Sequence, residues 1–345
     1  MPKSPQVRTV VQKPVIDRLA FVLPWHPEED ENPEVRMERM QRRIADAIQE
    51  GLVERAYLRS SRYRQNIRIK LGGGSSVLVQ IGARNPGQQH GGIRVDLNPA
   101  KFKGLDLQTF HETMRRVVGS AYPRLMRVPL ISRIDVAVDV YGIEYSDLLV
   151  RYKRARRVTM FGKQIDMHAQ LETLNFGSVS SDYTAAVYDK RIHLRHAAIM
   201  RLVKNGPGTD TEALRSNLLR QYDNAFTNGP YIRVEVRGRK MRGMLLAELD
   251  TLPNRFTWFE FIDLRTVDTN LSEFGRRSLL AMWRQDGAKV ALEAFKHTPE
   301  ARAANAFVRA RIAPWWKPEP MWHDACTALR ILDLFPAKAF LPIGD

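Results

Sequence analysis

Apolar and polar residues alternate along the segment from Ser132 to Val140, and this period of two predicts a β-strand. Its branched apolar residues share one face, while Asp135 and Asp139 share the other face with Arg133. Aspartate is uncommon in strands, and two carboxylates on one face repel each other. Two interpretations are open: a solvated or arginine-paired face, or a site where a hard cation binds oxygen ligands.

Two later segments show the same alternation. In residues 231–237, the polar face of the predicted strand carries Glu235 between two arginines. In residues 183–190, Tyr188 and Lys190 share one strand face. The three strands together would supply three carboxylates and one phenol.

The remaining pattern predicts a mixed fold. Further strands are expected at residues 15–23, 66–71, 76–81, 92–97 and 171–178, and helices at 33–50, 105–122, 145–154, 191–204, 211–224 and from about 243 onward. We therefore expect an α+β fold, with an antiparallel β-sheet, helices packed on one face and a mainly helical C-terminal region. The expected organisation is a basic flexible arm at 1–14, an α+β domain at 15–242 and the helical region at 243–345. The glycine-rich residues 72–75 join two strands and indicate a hairpin turn rather than a phosphate-binding loop.

Composition points to a polyanionic partner. The 345 residues contain 54 Lys+Arg against 38 Asp+Glu, a formal charge of +16, which favours nucleic acid or an acidic membrane surface. No apolar stretch is long enough to cross a bilayer, and residues 1–14 lack the apolar core of a signal peptide. The single cysteine excludes an internal disulfide and a cysteine-rich zinc site. We expect a cytoplasmic protein that binds nucleic acid.

The basic residues nearest the predicted polar strands, and a basic run at 151–157, are the candidates for contacts with DNA. They are Arg133, Arg151, Lys153, Arg154, Arg156, Arg157, Arg191, Arg233, Arg237, Arg239 and Lys240. A basic run is also compatible with an ordinary solvated face.

If the three strands with polar faces lie in one sheet, their side chains are able to form a catalytic site. Asp135, Asp139 and Glu235 would then be able to bind one divalent cation, Mg²⁺ or Mn²⁺. A nearby Tyr188 would be able to attack a phosphodiester as a nucleophile, with Lys190 lowering its pKa or holding the phosphate. Taken alone, a tyrosine in this position is more often a half-buried strand aromatic than a nucleophile, and only its combination with the carboxylates favours catalysis.

The motifs also resemble those of a known family. They are Arg133-Ile134-Asp135-Val136-Ala137-Val138-Asp139, Phe176-Gly177-Ser178 with Ser181-Asp182, Val187-Tyr188-Asp189-Lys190, and Arg233-Val234-Glu235. In this order and spacing they resemble the replication initiation factor family, the rolling-circle initiators of small plasmids and filamentous phages, with related relaxases. The resemblance extends over residues 92–239.

The resemblance implies an α+β catalytic nicking domain that acts as a metal-dependent endonuclease and strand-transferase. Such a protein nicks a double-strand origin, forms a 5′-phosphotyrosine intermediate, leaves a 3′-OH that primes synthesis and later rejoins the strand. Carried over, the nucleophile is Tyr188, and Asp135, Asp139 and Glu235 surround the metal. Tyr183, on the opposite face of the same strand, is the other tyrosine to consider.

Two further classes of function are compatible with the sequence. A relaxase of a conjugative element would use the same chemistry, and a non-catalytic DNA-binding regulator would keep the fold without it. The eight histidines never form the His-apolar-His pair of the larger class of tyrosine nickases, which argues against that class. The expected partner is DNA, double-stranded at the origin and single-stranded at the nick. A host helicase, a homodimer, and DNA or partner binding by residues 243–345 are further expectations.

Overall fold

The fold is described here from a computed structural model. It describes residues 8–24, 33–58, 61–72, 75–85, 92–155, 157–165, 168–194, 197, 216, 229–241, 243–265, 270–309 and 312–342. The side chains of residues 161–172 lie outside this description. So do the predicted helix at 211–224, apart from residue 216, and most of the predicted helix at 191–204.

One large antiparallel sheet dominates the described part of the chain. Its strands are β1 (Val10–Val11), β2 (Val15–Leu23), β3 (Val53–Arg55), β4 (Tyr63–Lys70), β5 (Ser76–Ala83), β6 (Ile93–Leu97), β7 (Leu130–Tyr141), β9 (Val158–Ile165), β10 (His168–Phe176), β11 (Tyr183–Asp189), β12 (Tyr231–Gly238) and β13 (Met244–Leu245). Their order is β3-β4-β5-β6-β2-β7-β12-β11-β10-β9, and β1 and β13 both pair with β7. The central strand β7 is the segment where the alternation of apolar and polar residues is longest.

The described residues form seven α-helices, some of which cover one face of this sheet. They are α1 (Pro33–Gln49), α2 (Asp106–Val118), α3 (Tyr122–Leu125), α4 (Glu273–Asp286), α5 (Ala288–Phe295), α6 (Ala301–Arg309) and α7 (Met321–Ile331). Apolar side chains of α1, α2 and α7 join those of the central strands in one buried cluster. The α+β prediction, with an antiparallel sheet and helices on one face, is confirmed.

The apolar side of the sheet explains this packing. Ile134, Val136 and Val138 of β7 are almost completely buried, as their spacing of two residues predicts. Phe21 of β2 meets Phe335, which follows α7, edge to face with ring centroids 4.9 Å apart. The C-terminal region beyond residue 243 therefore packs against the strand that residues 15–23 form.

A second, smaller unit lies beside the sheet. It contains a two-stranded ribbon of β8 (Leu148–Tyr152) and β14 (Phe259–Asp263) together with α4, α5 and α6. Leu149 and Ile262 of the ribbon are buried against Leu279 and Trp283 of α4 in a separate apolar cluster. Within the described residues, no helix has the length and apolarity needed to cross a bilayer.

Three local predictions were wrong. Residues 148–152 form β8 rather than part of a helix at 145–154, because their partner β14 is far away in sequence. Val10–Val11 of the expected arm is a strand paired with β7, whereas the region after 243 is mainly helical as predicted and adds only the short strands β13 and β14. The helix expected at 105–122 ends at Val118, since Gly119 has a φ of 88° that other residues adopt with strain.

Candidate functional site

The three strands that carry the predicted site residues are neighbours in the sheet, in the order β7-β12-β11. Asp135 lies opposite Arg237, and Asp139 lies opposite Arg233. Tyr188 lies opposite Arg233 on the other side of β12. Directly opposed residues of antiparallel strands point to the same face, so these five side chains share the polar face of the sheet.

Glu235 occupies the middle of this polar face. It lies opposite Ala137 of β7 and Ala186 of β11, and all three residues are buried. Two alanine neighbours leave room on both sides of the carboxylate, which a larger side chain would fill. Asp135, Glu235 and Tyr188 therefore lie on one face, with Glu235 between the two outer strands.

Arginines hold the carboxylates on this face. Nε of Arg133 donates to both oxygens of Asp135 at 3.0 Å, and its NH2 group donates to Oδ2 at 2.6 Å. Arg237 donates to Oε2 of Glu235 at 2.6 Å. Each arginine lies two residues from its carboxylate on the same strand, so both side chains point to the same face and the pair forms within one strand.

The third pair joins separate strands. Arg233 donates from Nε and NH2 to the two oxygens of Asp139, both at 2.7 Å. Its remaining nitrogen donates to Asp17 of β2 at 2.9 Å. Bidentate pairs of this kind are the stronger class of charge-assisted hydrogen bond.

The predicted metal ligands do not fit one cation in this arrangement. A divalent cation of the Mg²⁺ or Mn²⁺ type needs several oxygens around one point. Within the described residues, no group of three or more His, Cys, Asp or Glu side chains is placed to hold a metal ion. Asp135, Asp139 and Glu235 instead each accept hydrogen bonds from an arginine. Metal dependence therefore stays a prediction from the sequence.

The Asp135 carboxyl is easier to protonate than an ordinary aspartate. Only 2% of the residue is exposed, and burial raises its pKa. The neighbouring Glu235 charge raises it further, while the hydrogen bond from Arg133 and the Arg133 charge oppose the rise. The balance leaves the pKa of Asp135 above its usual range, so its charge depends on the arginine that holds it.

Tyr188 is buried, but on the polar side of the sheet. It belongs to neither apolar cluster of the described part of the chain. Its ring contacts the exposed His193 at a centroid distance of 5.3 Å. Burial, with a contribution from the Glu235 charge, raises the pKa of the Tyr188 hydroxyl well above its usual value. The phenol is therefore protonated at neutral pH and needs a base to become a nucleophile.

Lys190 is a candidate for that base. It begins a helical segment at residues 190–194, directly after β11. Its Nζ lies 5.7 Å from the centre of the Tyr188 ring. Burial lowers the pKa of Lys190 to about 8, helped by the positive charge of Arg233. A substantial fraction of Lys190 is therefore neutral in the slightly alkaline range and is able to accept a proton.

A groove of about 400 Å³ opens beside Asp135 and Glu235 on the polar face. Its charged lining consists of four arginines and four carboxylates: Arg18, Arg68, Arg133, Arg237, Asp17, Asp96, Asp135 and Glu235. Arg68 is exposed, and no partner for it is found within the described residues. The groove thus combines fixed guanidinium groups with an open side, as a phosphate-binding surface requires.

Sequence reasoning missed half of this groove. Arg18 of β2 donates to both oxygens of Asp96 of β6 at 2.8 Å, and Arg94 donates to the same carboxylate at 2.9 Å. A signal was present, because Arg94 and Asp96 alternate with apolar residues in a predicted strand. The alternation revealed a polar face but not which strand would lie beside it.

The predicted DNA-binding residues do not form one patch. Arg133, Arg233 and Arg237 lie on the polar face, and Arg191 pairs with Asp189 at 2.9 Å. Arg151 and Lys153 both pair with Glu260 across the β8–β14 ribbon at 3.2 Å. Four others, Arg154, Arg157, Arg239 and Lys240, lie near the turn between β10 and β11. Arg156 lies outside the described residues.

Comparisons with known proteins do not assign a family. No family model matches the chain, and no curated protein matches it. One similar solved structure is described as a rolling circle replication initiator protein from Geobacillus stearothermophilus. It covers 81% of this chain and 98% of its own, at 15% sequence identity and a TM-score of 0.39. A likeness at this level decides neither family nor activity.

Proposed function

We propose that this chain is a DNA nicking-joining enzyme that initiates rolling-circle replication, with Tyr188 as its nucleophile. One observation carries the proposal: the three motif strands are neighbours, and Asp135, Glu235 and Tyr188 share one sheet face. The resemblance of the motifs to replication initiation factors and the formal charge of +16 support it. The proposal concerns this polar face and assigns no role to the opposite, helix-covered face.

The chemistry is an exchange of phosphodiester bonds. The Tyr188 oxygen attacks a DNA phosphorus atom, and the phenolic proton passes to neutral Lys190. The bond from phosphorus to the 3′ oxygen breaks, and that oxygen takes a proton from solvent water to become the 3′-OH, while Lys190 returns its proton to solvent. The 5′ side stays attached as phosphotyrosine, and attack by a 3′-OH reverses the sequence and frees Tyr188. One ester is replaced by another, so no energy source is consumed.

The arginines position the phosphate in this scheme. Arg233 and Arg237 flank Glu235 on β12, next to Tyr188 on β11. Their carboxylate partners fix the guanidinium groups in advance, which lowers the entropy lost when a phosphate binds. A divalent cation would supply charge stabilisation at the scissile phosphate. Because the predicted ligands do not fit one cation here, no step is assigned to it.

A strand-cleavage assay tests the proposal. Supercoiled DNA that carries the gene for this chain and its flanks is incubated with the protein, with and without Mg²⁺ or Mn²⁺. We expect nicked circles with protein bound to the 5′ end, and complete loss of this adduct in Tyr188→Phe. Tyr183→Phe is the matched control and should retain the adduct. Adduct formation by Tyr188→Phe at the wild-type level would refute the assignment of the nucleophile.

A non-catalytic DNA-binding regulator is the second candidate. Arginine pairing of every predicted metal ligand and the burial of Tyr188 favour it. It predicts DNA binding without a covalent adduct under any metal or salt condition. A relaxase would form the same adduct and would differ in which DNA it cuts, namely a transfer origin. A helicase partner and a homodimer stay predictions that pull-down and sedimentation experiments test.

A further inference from the structure

A second pocket, of about 470 Å³, lies at the end of β11 away from Tyr188. Its walls are the turn between β10 and β11, both ends of the 3₁₀ helix Arg255–Trp258, and the residues Tyr152, Arg154, Ala155 and Arg157. Tyr183 and Tyr188 are five residues apart on one strand, which corresponds to about 17 Å and to opposite sheet faces. The pocket is therefore separate from the polar face described above.

Aromatic rings and guanidinium groups stack in this pocket. The Arg255 guanidinium lies 3.5 Å from the centre of the Tyr183 ring and 4.4 Å from that of Trp258. Arg154 lies over the same Trp258 ring at 4.7 Å. A Cβ atom at Gly238 would lie 3.2 Å from Cε1 of Tyr183, so glycine at this position leaves room for the ring. Alternating rings and guanidinium groups resemble the surfaces on which nucleobases stack.

Positive charge surrounds the stack. Arg154 and Arg157 line the pocket with exposed side chains. Arg239 and Lys240 donate to the backbone carbonyls of Val179 and Ser180 in the adjoining turn. One carboxylate, Asp182, lies among them. The pocket thus places two partly exposed aromatic rings, stacked with the guanidinium groups of Arg154 and Arg255, beside several cations that suit the phosphates of a nucleotide.

Two polar groups of the lining lack a partner. Nε of Arg255 and the hydroxyl of Tyr152 are buried, and neither has a hydrogen-bond partner within the described residues. Unpaired buried donors cost free energy, so these two groups mark a part of the lining whose polar atoms are left unsatisfied within the described residues. This observation is independent of the stacking geometry.

We infer that this pocket binds one unpaired nucleotide of single-stranded DNA, with its base stacked beside Trp258 and Tyr183 and its phosphates at Arg154 and Arg157. The inference rests on the proposed function only for DNA as the polyanion. It deepens that function, because it names a second place on the chain where the single-stranded DNA next to a nick would bind. The pocket binds any of the four bases, because every base offers a π face for stacking.

Photocrosslinking and binding measurements test the pocket. An oligothymidylate that carries one photoreactive 4-thiothymidine is irradiated with the full-length chain, and the attached peptide is identified by mass spectrometry. We expect attachment to Trp258 or Tyr183. Fluorescence anisotropy should show that Trp258→Leu weakens binding of labelled oligothymidylate roughly 5- to 150-fold. Trp258→Phe keeps an aromatic face and should retain most of the affinity.

Control variants separate stacking from folding. Arg154→Gln removes one exposed charge from the pocket and should also weaken binding, whereas Arg151→Gln, an exposed arginine outside it, should weaken binding less. Unchanged thermal melting shows that each variant is folded, and Arg154→Gln carries the test if Trp258→Leu does not fold. Wild-type affinity in both pocket variants, or crosslinks confined to other segments, would overturn the inference.

The two proposals fail in different ways. If the wild-type protein binds oligothymidylate through Trp258 but never forms an adduct, the pocket is supported and the nicking reaction is refuted. If the Tyr188 adduct forms and both pocket variants bind oligothymidylate normally, the nicking reaction is supported and the pocket is refuted.

Discussion

Arg233 on β12 holds Asp139 on β7 through two hydrogen bonds of 2.7 Å, although 94 residues separate them along the chain. The same guanidinium also holds Asp17 of β2, so one side chain ties three strands together. All three side chains are at most about a quarter exposed. This arginine is therefore a structural member of the polar face as well as a candidate phosphate ligand.

Replacing Arg233 tests its structural role. Arg233→Gln leaves Asp139 and Asp17 without their charged partner, and we expect the free energy of unfolding to fall by about 2 kcal/mol or more. Urea denaturation measures the change. Arg277→Gln is the matched control, because it breaks the exposed pair with Glu273 and should cost no more than about 0.5 kcal/mol. Equal losses in the two variants would contradict the role of Arg233.

The pH dependence of stability reports on Lys190. Its pKa is about 8 when folded and 10.5 when unfolded, so between these values the unfolded chain binds more protons. Stability should therefore rise as the pH rises from about 8 to about 10.5, and the penalty is fully present below pH 8. Lys190→Met should stabilise the protein at pH 7 by about 1–3 kcal/mol and abolish this rise. An exposed control, Lys296→Met, should leave the slope unchanged, and a wild-type slope in Lys190→Met would exclude the assignment.

The rate of adduct formation should follow the same group. If neutral Lys190 accepts the proton of Tyr188, the single-turnover rate rises with pH and levels off above about 8. Lys190→Met should lower the rate about 10²- to 10⁴-fold and remove this inflection. Rapid-quench measurements between pH 6 and 9.5 give the profile. An unchanged inflection near pH 8 in Lys190→Met would assign the base to another residue.

Salt should weaken DNA binding steeply. With about 6–10 phosphate contacts, affinity falls roughly 10³- to 10⁵-fold between about 50 and 200 mM salt. Arg68 is exposed in the groove, and Arg68→Gln should reduce the salt slope by about 1. Arg277→Gln, on the far-off helix α4, should leave the slope unchanged. Affinity that does not vary with salt would remove the electrostatic basis of the proposed partner.

Much of the sheet follows from the sequence because its strands are short runs rich in branched and aromatic residues. Residues 15–23 and 183–190 were predicted as strands almost to the residue. Strand β8 was missed because Leu148–Tyr152 is stable only through β14, more than 100 residues later. A local pattern carries no information about such a partner.

The site itself was predictable only in part. The sequence indicated that Asp135, Glu235 and Tyr188 occupy polar strand faces, and the fold brings these faces together. It did not reveal that every predicted metal ligand would be held by an arginine, because the pairing depends on strand order and register. Arg133 and Arg237 lie two residues from their carboxylates, so for these two the arginine-paired alternative was visible in the sequence.

The contact between Phe21 and Phe335 has a consequence for how the protein is made. Strand β2 leaves the ribosome early, but the helix and aromatic ring that shield its apolar side are encoded more than 290 residues later. The part of β2 that Phe335 covers therefore stays unshielded until that aromatic residue has been synthesised. Apolar strand surface that is exposed in this way during folding is prone to aggregation.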